Sequence, residues 1–340
     1  MDIRIRAAER SDEPFLWEML FEAAHMAQDG ATAADEARAH PYLARYLAGW
    51  GRPDDVGVVA EEAGTARRLG AAWARLLDHA PGSAAGAGEA LPEVAIAVVP
   101  GLRGGGIGGR LIRGLCDAAR LFYPALALTV RDENPARRMY ERAGFVVTHT
   151  ITNRVGGRSV AMRADLLDDP AGGLRLVEPD EAWRRRFQVM AREYLLAGED
   201  RYDDAIDGFD ARLARIRRYA AGENLPEGHV PGFTYWAVAG ETLVGAIRLR
   251  PYAPPHLQVY GGNIGYDVRP ALRGRGCGTR MLALCLEQAR TLGLARALVT
   301  CDDDNLASAR VIEKNGGVLE DTRFHEPTGK LVRRYWIALA

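Results

Sequence analysis

Two stretches of this sequence carry the residue types that hold an anion. They read Arg103-Gly104-Gly105-Gly106-Ile107-Gly108-Gly109 and Arg273-Gly274-Arg275-Gly276-Cys277-Gly278-Thr279. Each follows a strand-like run ending in Val-x-Pro, at Val98 to Pro100 and at Val268 to Pro270, and each runs into a predicted helix. Glycines let the backbone come close to a guest. Successive N–H groups then face one concavity, and the helix dipole favours negative charge there. A phosphate or pyrophosphate is the guest that this chemistry suits.

The first stretch also satisfies the dinucleotide pattern G-x-G-x-x-G through Gly104, Gly106 and Gly109. The second does not, because Thr279 stands where Gly109 would be. What both keep is Arg-x-x-Gly-x-Gly, and both follow a fourth predicted strand, not a first. Neither contains Gly-Lys-Ser/Thr, which excludes a P-loop.

The two stretches belong to a repeat that runs through the chain. Pro100 matches Pro270, Arg103 matches Arg273, Gly106 matches Gly276 and Gly108 matches Gly278, each pair 170 positions apart. Asn134 and Asn305 are 171 apart, and Gly144 and Gly316 are 172 apart. In the first half the patterns predict a strand at Ile3 and Ile5, a helix opening at Ser11-Asp12-Glu13-Pro14 and a second helix over 34–48. Strands over 56–60, 69–77 and 94–99 lead to the glycines. Beyond them come a helix to about residue 121, a strand over 125–130, a helix over 135–142 and strands from Phe145 and Ser159. The second half predicts the same series: a strand over 174–177, helices from Pro179 and over 203–219, and strands over 235–239, 243–249 and 264–268. After its glycine loop come a helix from Gly276, a strand over 297–300, a helix from Asn305 and two closing strands. Asp168-Asp169-Pro170-Ala171-Gly172-Gly173 reads as a linker, giving domains 1–167 and 174–340 around 168–173.

Arg-x-x-Gly-x-Gly after a Val-x-Pro strand end resembles the coenzyme A-binding motif of the GNAT N-acetyltransferase superfamily. A second segment strengthens the resemblance. Asn134-Pro135-Ala136-Arg137-Arg138-Met139-Tyr140-Glu141-Arg142-Ala143-Gly144-Phe145 is similar to the family's Asn…Leu-Tyr-x-x-x-Gly-Phe, and 305–317 keeps its Asn, Ala and Gly. The resemblance implies an α/β (α+β) chain of two GNAT-type domains, each a mixed, mostly antiparallel sheet flanked by helices. It implies acetyl-CoA as the cosubstrate. Its pantetheine arm would run beside Ile96, Ala97 and Val98 and, in the second copy, Tyr266, Asp267 and Val268. The pyrophosphate would lie on Arg103, Gly104, Gly105, Gly106, Ile107, Gly108 and Gly109, or on Arg273, Gly274, Arg275, Gly276, Cys277, Gly278 and Thr279. Asn134 and Asn305 would complete the two sites.

The family match also implies the chemistry. Tyr140 stands at the position that gives a proton to the departing thiolate; the plain reading is a helix tyrosine packed under Phe145. Ile312 occupies that position in the second copy and has no proton to give. That copy then uses another donor, such as Tyr266 or water, or binds coenzyme A without turnover. Glu93 lies near where some members place a catalytic glutamate; the plain reading is an exposed acid at a strand start. Asp267 is the other candidate base, and deprotonation through water is the third route. The expected product is an acetylated primary amine of a small molecule, with a coenzyme A-binding module without catalysis as the alternative.

The rest of the composition bounds the partners. The net charge is −1 over 340 residues, which gives no electrostatic case for nucleic acid or an anionic membrane. No signal peptide or spanning apolar run is visible. Cys116, Cys277, Cys285 and Cys301 form no CxxC pair and read as reduced cytoplasmic thiols, with Cys277 a small apolar filler, not a nucleophile. The histidines are scattered, so no metal site is expected. Lysine occurs only at Lys314 and Lys330, an arginine skew that points to a GC-rich bacterial genome. The acidic run from Glu199 to Asp204 reads either as a lure for a cationic amine or as acids that complement the dipole of the helix they begin. The Gly/Ala/Ser-rich stretch 79–91 reads as mobile and the proline-bearing stretch 251–262 as stiffer. A monomer with an internal pseudo-dimer, or a homodimer, is the expected assembly.

Overall fold

The computed structural model describes residues 1–24, 34–77, 90–152 and 156–339. It divides the chain into two compact units: Met1–Asp168 with Ala191–Arg201, and Asp169–Met190 with Tyr202–Ala340.

The first unit runs β1 (Ile3–Ala7), α1 (Glu13–Ala23), α2 (Ala34–Ala39), α3 (Pro41–Ala44), β2 (Val56–Glu62), β3 (Arg68–Leu76) and β4 (Pro92–Val98). It continues with α4 (Ile107–Ala119), β5 (Ala125–Arg131), α5 (Arg137–Arg142), β6 (Val146–Thr152) and β7 (Arg158–Asp165). Its strands form one sheet in the order β1-β2-β3-β4-β5-β7-β6. The second series is β8 (Leu174–Val177), α6 (Arg184–Leu196), α7 (Asp204–Ala221), β9 (Phe233–Ala239), β10 (Thr242–Leu249), α8 (Pro255–Val259) and β11 (Ile264–Val268). After these come α9 (Cys277–Thr291), β12 (Arg296–Asp302), α10 (Leu306–Lys314), β13 (Val318–His325) and β14 (Lys330–Ala338). Its sheet, β13-β14-β12-β11-β10-β9-β8, repeats the first order strand for strand. Every pairing is antiparallel except β4 with β5 and β11 with β12. The fold is therefore the expected mixed, mostly antiparallel sheet with flanking helices, twice over.

The helices after the glycine loops share one burial register. In α4, Ile107, Leu111, Ile112, Leu115, Cys116 and Ala119 are buried. In α9 the residues 170 positions on, Cys277, Met281, Leu282, Cys285, Leu286 and Ala289, are buried too. This is the spacing of one apolar face of an α-helix. On the opposite face of the first sheet, Leu16, Trp17 and Leu20 of α1, with Leu43, Leu47 and Trp50, cover Ala71, Trp73, Ala95 and Ala97.

One expectation about the elements is corrected, and two gain detail. The helix over 34–48 is two short helices, because His40 precedes Pro41 and takes an extended conformation (φ −83°, ψ 111°) that breaks the run. The helix over 203–219 is α7, with a non-helical Gly208 (φ −107°, ψ 32°) inside it. The proline-bearing stretch contains α8, whose Pro255 sits in the first turn, where a missing N–H costs nothing. Of the stretch 79–91, residues 79–89 lie outside the described residues.

Candidate active site

The glycine loops have the geometry that their sequences suggest. Gly106 (φ 81°) and Gly276 (φ 78°) cap α4 and α9 in the left-handed region, where a side chain costs about 1–2 kcal/mol. A Cβ on Gly108 would lie 2.9 Å from the Met139 sulfur of α5, and one on Gly278 3.3 Å from Val311 of α10, so these glycines let the two helices meet. A Cβ on Gly109 would lie 3.5 Å from its nearest neighbour, Arg113. That position makes no demand for glycine, which is why Thr279 is accepted there. Gly104, Gly105 and Gly106 are exposed, and no acceptor in the described chain takes their N–H groups. Ile107 and Cys277 are buried and offer a ligand only backbone. Arg103 Nε donates to the Val98 carbonyl at 3.4 Å, and Arg273 Nε to the Val268 carbonyl at 3.0 Å. Both guanidinium groups thus tie the loop back onto the strand end; Arg103 also pairs with Glu22 at 2.6 Å. Asn305 Oδ1 accepts from the Ser308 N–H and caps α10, whereas Asn134 Oδ1 accepts from the N–H of Ala136, the N-cap of α5, and closes the turn before that helix.

The strand before each loop parts from its parallel neighbour. β4 is paired with β3 from Pro92 to Val98, but with β5 only at Glu93↔Ala127. β11 is paired with β10 from Ile264 to Val268, but with β12 only at Ile264↔Val299. Ile96, Ala97 and Val98, and likewise Tyr266, Asp267 and Val268, are therefore paired with a neighbouring strand on one side only. A sheet open in this way can take an extended ligand by strand-like hydrogen bonds.

Tyr140 packs edge-on against Phe145, with ring centroids 6.1 Å apart. Burial pushes its phenol up to about 12. Its hydroxyl has no hydrogen-bond partner in the described chain, yet its oxygen is not among the fully enclosed, unpartnered polar atoms. In the second unit Ile312 is wholly buried as core. Tyr266 reaches α10 from β11 instead, its hydroxyl 2.9 Å from Ser308 Oγ, and burial pushes this phenol up to about 12 as well.

Glu93 is buried, at 2% exposure, which corrects the reading of it as an exposed strand-start acid. It accepts a 2.7 Å hydrogen bond from the Tyr46 hydroxyl, and burial and the Glu93 charge hold that phenol well above its usual range. Trp73 Nε1 donates to the Tyr46 carbonyl at 3.0 Å and fixes the segment that carries it. The second unit has its own tyrosine–carboxylate pair at a different register. Tyr202 donates to Asp267 at 2.8 Å, and Arg248 lies 3.2 Å from both. Tyr46, Tyr202 and Arg248 were not singled out from sequence; their partners lie 47, 65 and 19 positions away, and no local spacing marks such pairs. Asp204, in the acidic run, is held by Arg212 and by Arg215 at 2.8 Å. Among the described residues no group of three His, Cys, Asp or Glu side chains is placed to hold a metal ion, and no helix is long and apolar enough to cross a membrane.

Residues 17–145 match the model of the acetyltransferase (GNAT) family, and residues 174–318 match that of an acetyltransferase (GNAT) domain. The chain belongs to the GNAT acetyltransferases. It is a tandem member, with one GNAT sheet in each unit, and acetyl-CoA is the cosubstrate that goes with the family. Several solved structures are similar to about half of it. A mutant of the Vibrio cholerae spermidine N-acetyltransferase has 18% identity and a TM-score of 0.34, covering 48% of this chain and 95% of its own. An aminoglycoside acetyltransferase in complex with coenzyme A has 18% identity and a TM-score of 0.36, with 48% and 95% covered. A microcin C7 self-immunity acetyltransferase in complex with acetyl-CoA and AMP has 14% identity and a TM-score of 0.38, with 51% and 95% covered. Among curated proteins none matches. Membership of the tandem GNAT chain rests on the two family models.

Proposed function

We propose that this chain transfers the acetyl group of acetyl-CoA to a primary amine of a small molecule, with the conventional chemistry in the first unit. The observation that carries this reading is the combination at β4: a strand open on one side, a glycine loop with unspent N–H groups at its end, and Tyr140, buried with an uncommitted hydroxyl. The loop residues Arg103 to Gly109 would hold the pyrophosphate by main-chain N–H groups, and the open edge of Ile96, Ala97 and Val98 the pantetheine arm. An N–H from that edge would polarise the thioester carbonyl. The amine nitrogen forms the new bond to the acyl carbon as the carbon–sulfur bond breaks. Tyr140 gives its proton to the leaving sulfur, and Glu93, directly or through water, takes the proton that the amine loses. A phenol held near 12 is fully protonated at neutral pH and is ready for that role.

Arg273 to Thr279 with Tyr266, Asp267 and Val268 would hold a second coenzyme A. Ile312 favours the other reading for this unit, binding without conventional turnover. The domain limits proposed are 1–167 and 174–340, joined by 168–173. The four free, buried cysteines support a reducing, cytoplasmic setting. The test is thiol release from acetyl-CoA with a panel of polyamines, amino sugars and amino acids. Amine-dependent release is expected; coenzyme A binding with no release from any amine would favour the non-catalytic module.

A further inference from the structure

The second unit contains a cavity of about 440 Å³ lined by residues of α7, β9 and β10. Arg212 and Arg215 of α7, Arg248 and Arg250 at β10, and His229 and His256 line it. Among the described lining residues none is acidic. Two carboxylates outside the lining pair with three of these arginines: Asp204 with Arg212 and Arg215, and Asp267 with Arg248. Arg250 meets no carboxylate among the described residues. One of its nitrogens donates to the Gly261 and Gly262 carbonyls at 3.4 and 3.3 Å. Burial, and then the Arg248 charge, holds its pKa below the usual arginine value. An anion in the cavity would relieve both penalties. The rest of the wall includes Tyr219, Phe233 and Trp236, a surface for a planar apolar body. The cavity borders the open strand, since Ala246 in its wall is paired with Asp267 of β11.

We propose that this cavity recognises a small anionic molecule, a carboxylate or phosphate on a planar apolar body, and not the cationic amine that the acidic run at Glu199 to Asp204 suggests. Only the ligand's role as an acceptor rests on the acyl-transfer reading; its binding does not.

The experiment is calorimetric titration of the full chain, with and without saturating coenzyme A, using phenylacetate, phenyl phosphate, phenethylamine and benzyl alcohol. The two anions should bind and the amine and alcohol should not; the tighter anion assigns the head group. Arg250→Gln should weaken the anion by at least about 10-fold, the loss of one charge-assisted contact. Arg215→Gln, in a half-exposed side chain that the fold tolerates, should weaken it in the same direction. Arg323→Gln, on exposed β13 outside the cavity, should leave it unchanged. Equal binding of the amine or alcohol, or anion binding indifferent to both cavity variants, would overturn the proposal. So would loss of anion binding when coenzyme A is present, because the cavity would then belong to the nucleotide. Anion binding without thiol release from phenylalanine or phosphoethanolamine would uphold the cavity's ligand class and count against acyl transfer in this unit.

Discussion

Glu93 and Tyr140 are both buried, in different polar surroundings. Tyr140 has no charged neighbour to favour a phenolate, so burial alone holds its proton on. Glu93, by contrast, accepts a 2.7 Å hydrogen bond from the Tyr46 hydroxyl. Glu93→Gln keeps the size of the side chain and removes the base. We expect kcat to fall by about 10²-fold with the KM for acetyl-CoA little changed, as steady-state thiol release would show. A merely structural Glu93 would leave the pH profile of kcat unmoved. The buried neutral groups also set an alkaline limit to the fold. Burial pushes Cys116 and Cys301 up to about 11 and Cys285, Tyr140 and Tyr266 up to about 12, from ordinary values of 9.0 and 10.0. In the unfolded chain they ionise first, so the unfolded state loses protons sooner as pH rises. Their contribution is full below about pH 9 and is lost progressively between about pH 9 and 12. Urea midpoints measured under reducing conditions should fall across that window and stay level below it.

At the scale of elements, the glycine loop and its helix form a unit that the sequence states openly. Gly106 and Gly276 are left-handed, Gly108 and Gly278 are close-approach sites, and the buried face of α4 recurs in α9 at the same 170-residue offset. These demands are local, so residue type and spacing reveal them. The open strand pairs are not local. Nothing in 92–98 distinguishes a strand paired along both sides from one that meets β5 only at Glu93. The charge balance of the cavity in the second unit was hidden for the same reason. The sequence places Asp204 in an acidic run, but the fold turns it toward Arg212 and Arg215, so the cavity wall is cationic. A Cβ at Gly106 has no steric neighbour within 4 Å, so its cost lies in the backbone. Gly106→Ala should therefore cost about 1–2 kcal/mol of stability and also weaken coenzyme A, because the cradle shifts. Thermal unfolding and calorimetric titration read the two effects separately.

The whole molecule is two copies of one sheet order with unlike chemistry. The duplication supplies two loops and two open strands, while the tyrosine of α5 becomes Ile312 in α10 and the carboxylate moves from Glu93 to Asp267 on the gap strand. Binding and turnover should separate on this account. Titration of the intact chain with coenzyme A is expected to find two molecules per chain, falling to one when either loop is blocked by Gly106→Val or Gly276→Val. A single site in the intact chain would mean that one cradle is only a strand-to-helix turn. The most direct test of the central claim, one conventional active site in the first unit, is thiol release by Tyr140→Phe. The account predicts a loss of about 10²-fold or more in kcat with coenzyme A binding intact. Activity that survives Tyr140→Phe but disappears with Gly276→Val would contradict it and move the chemistry to the second unit.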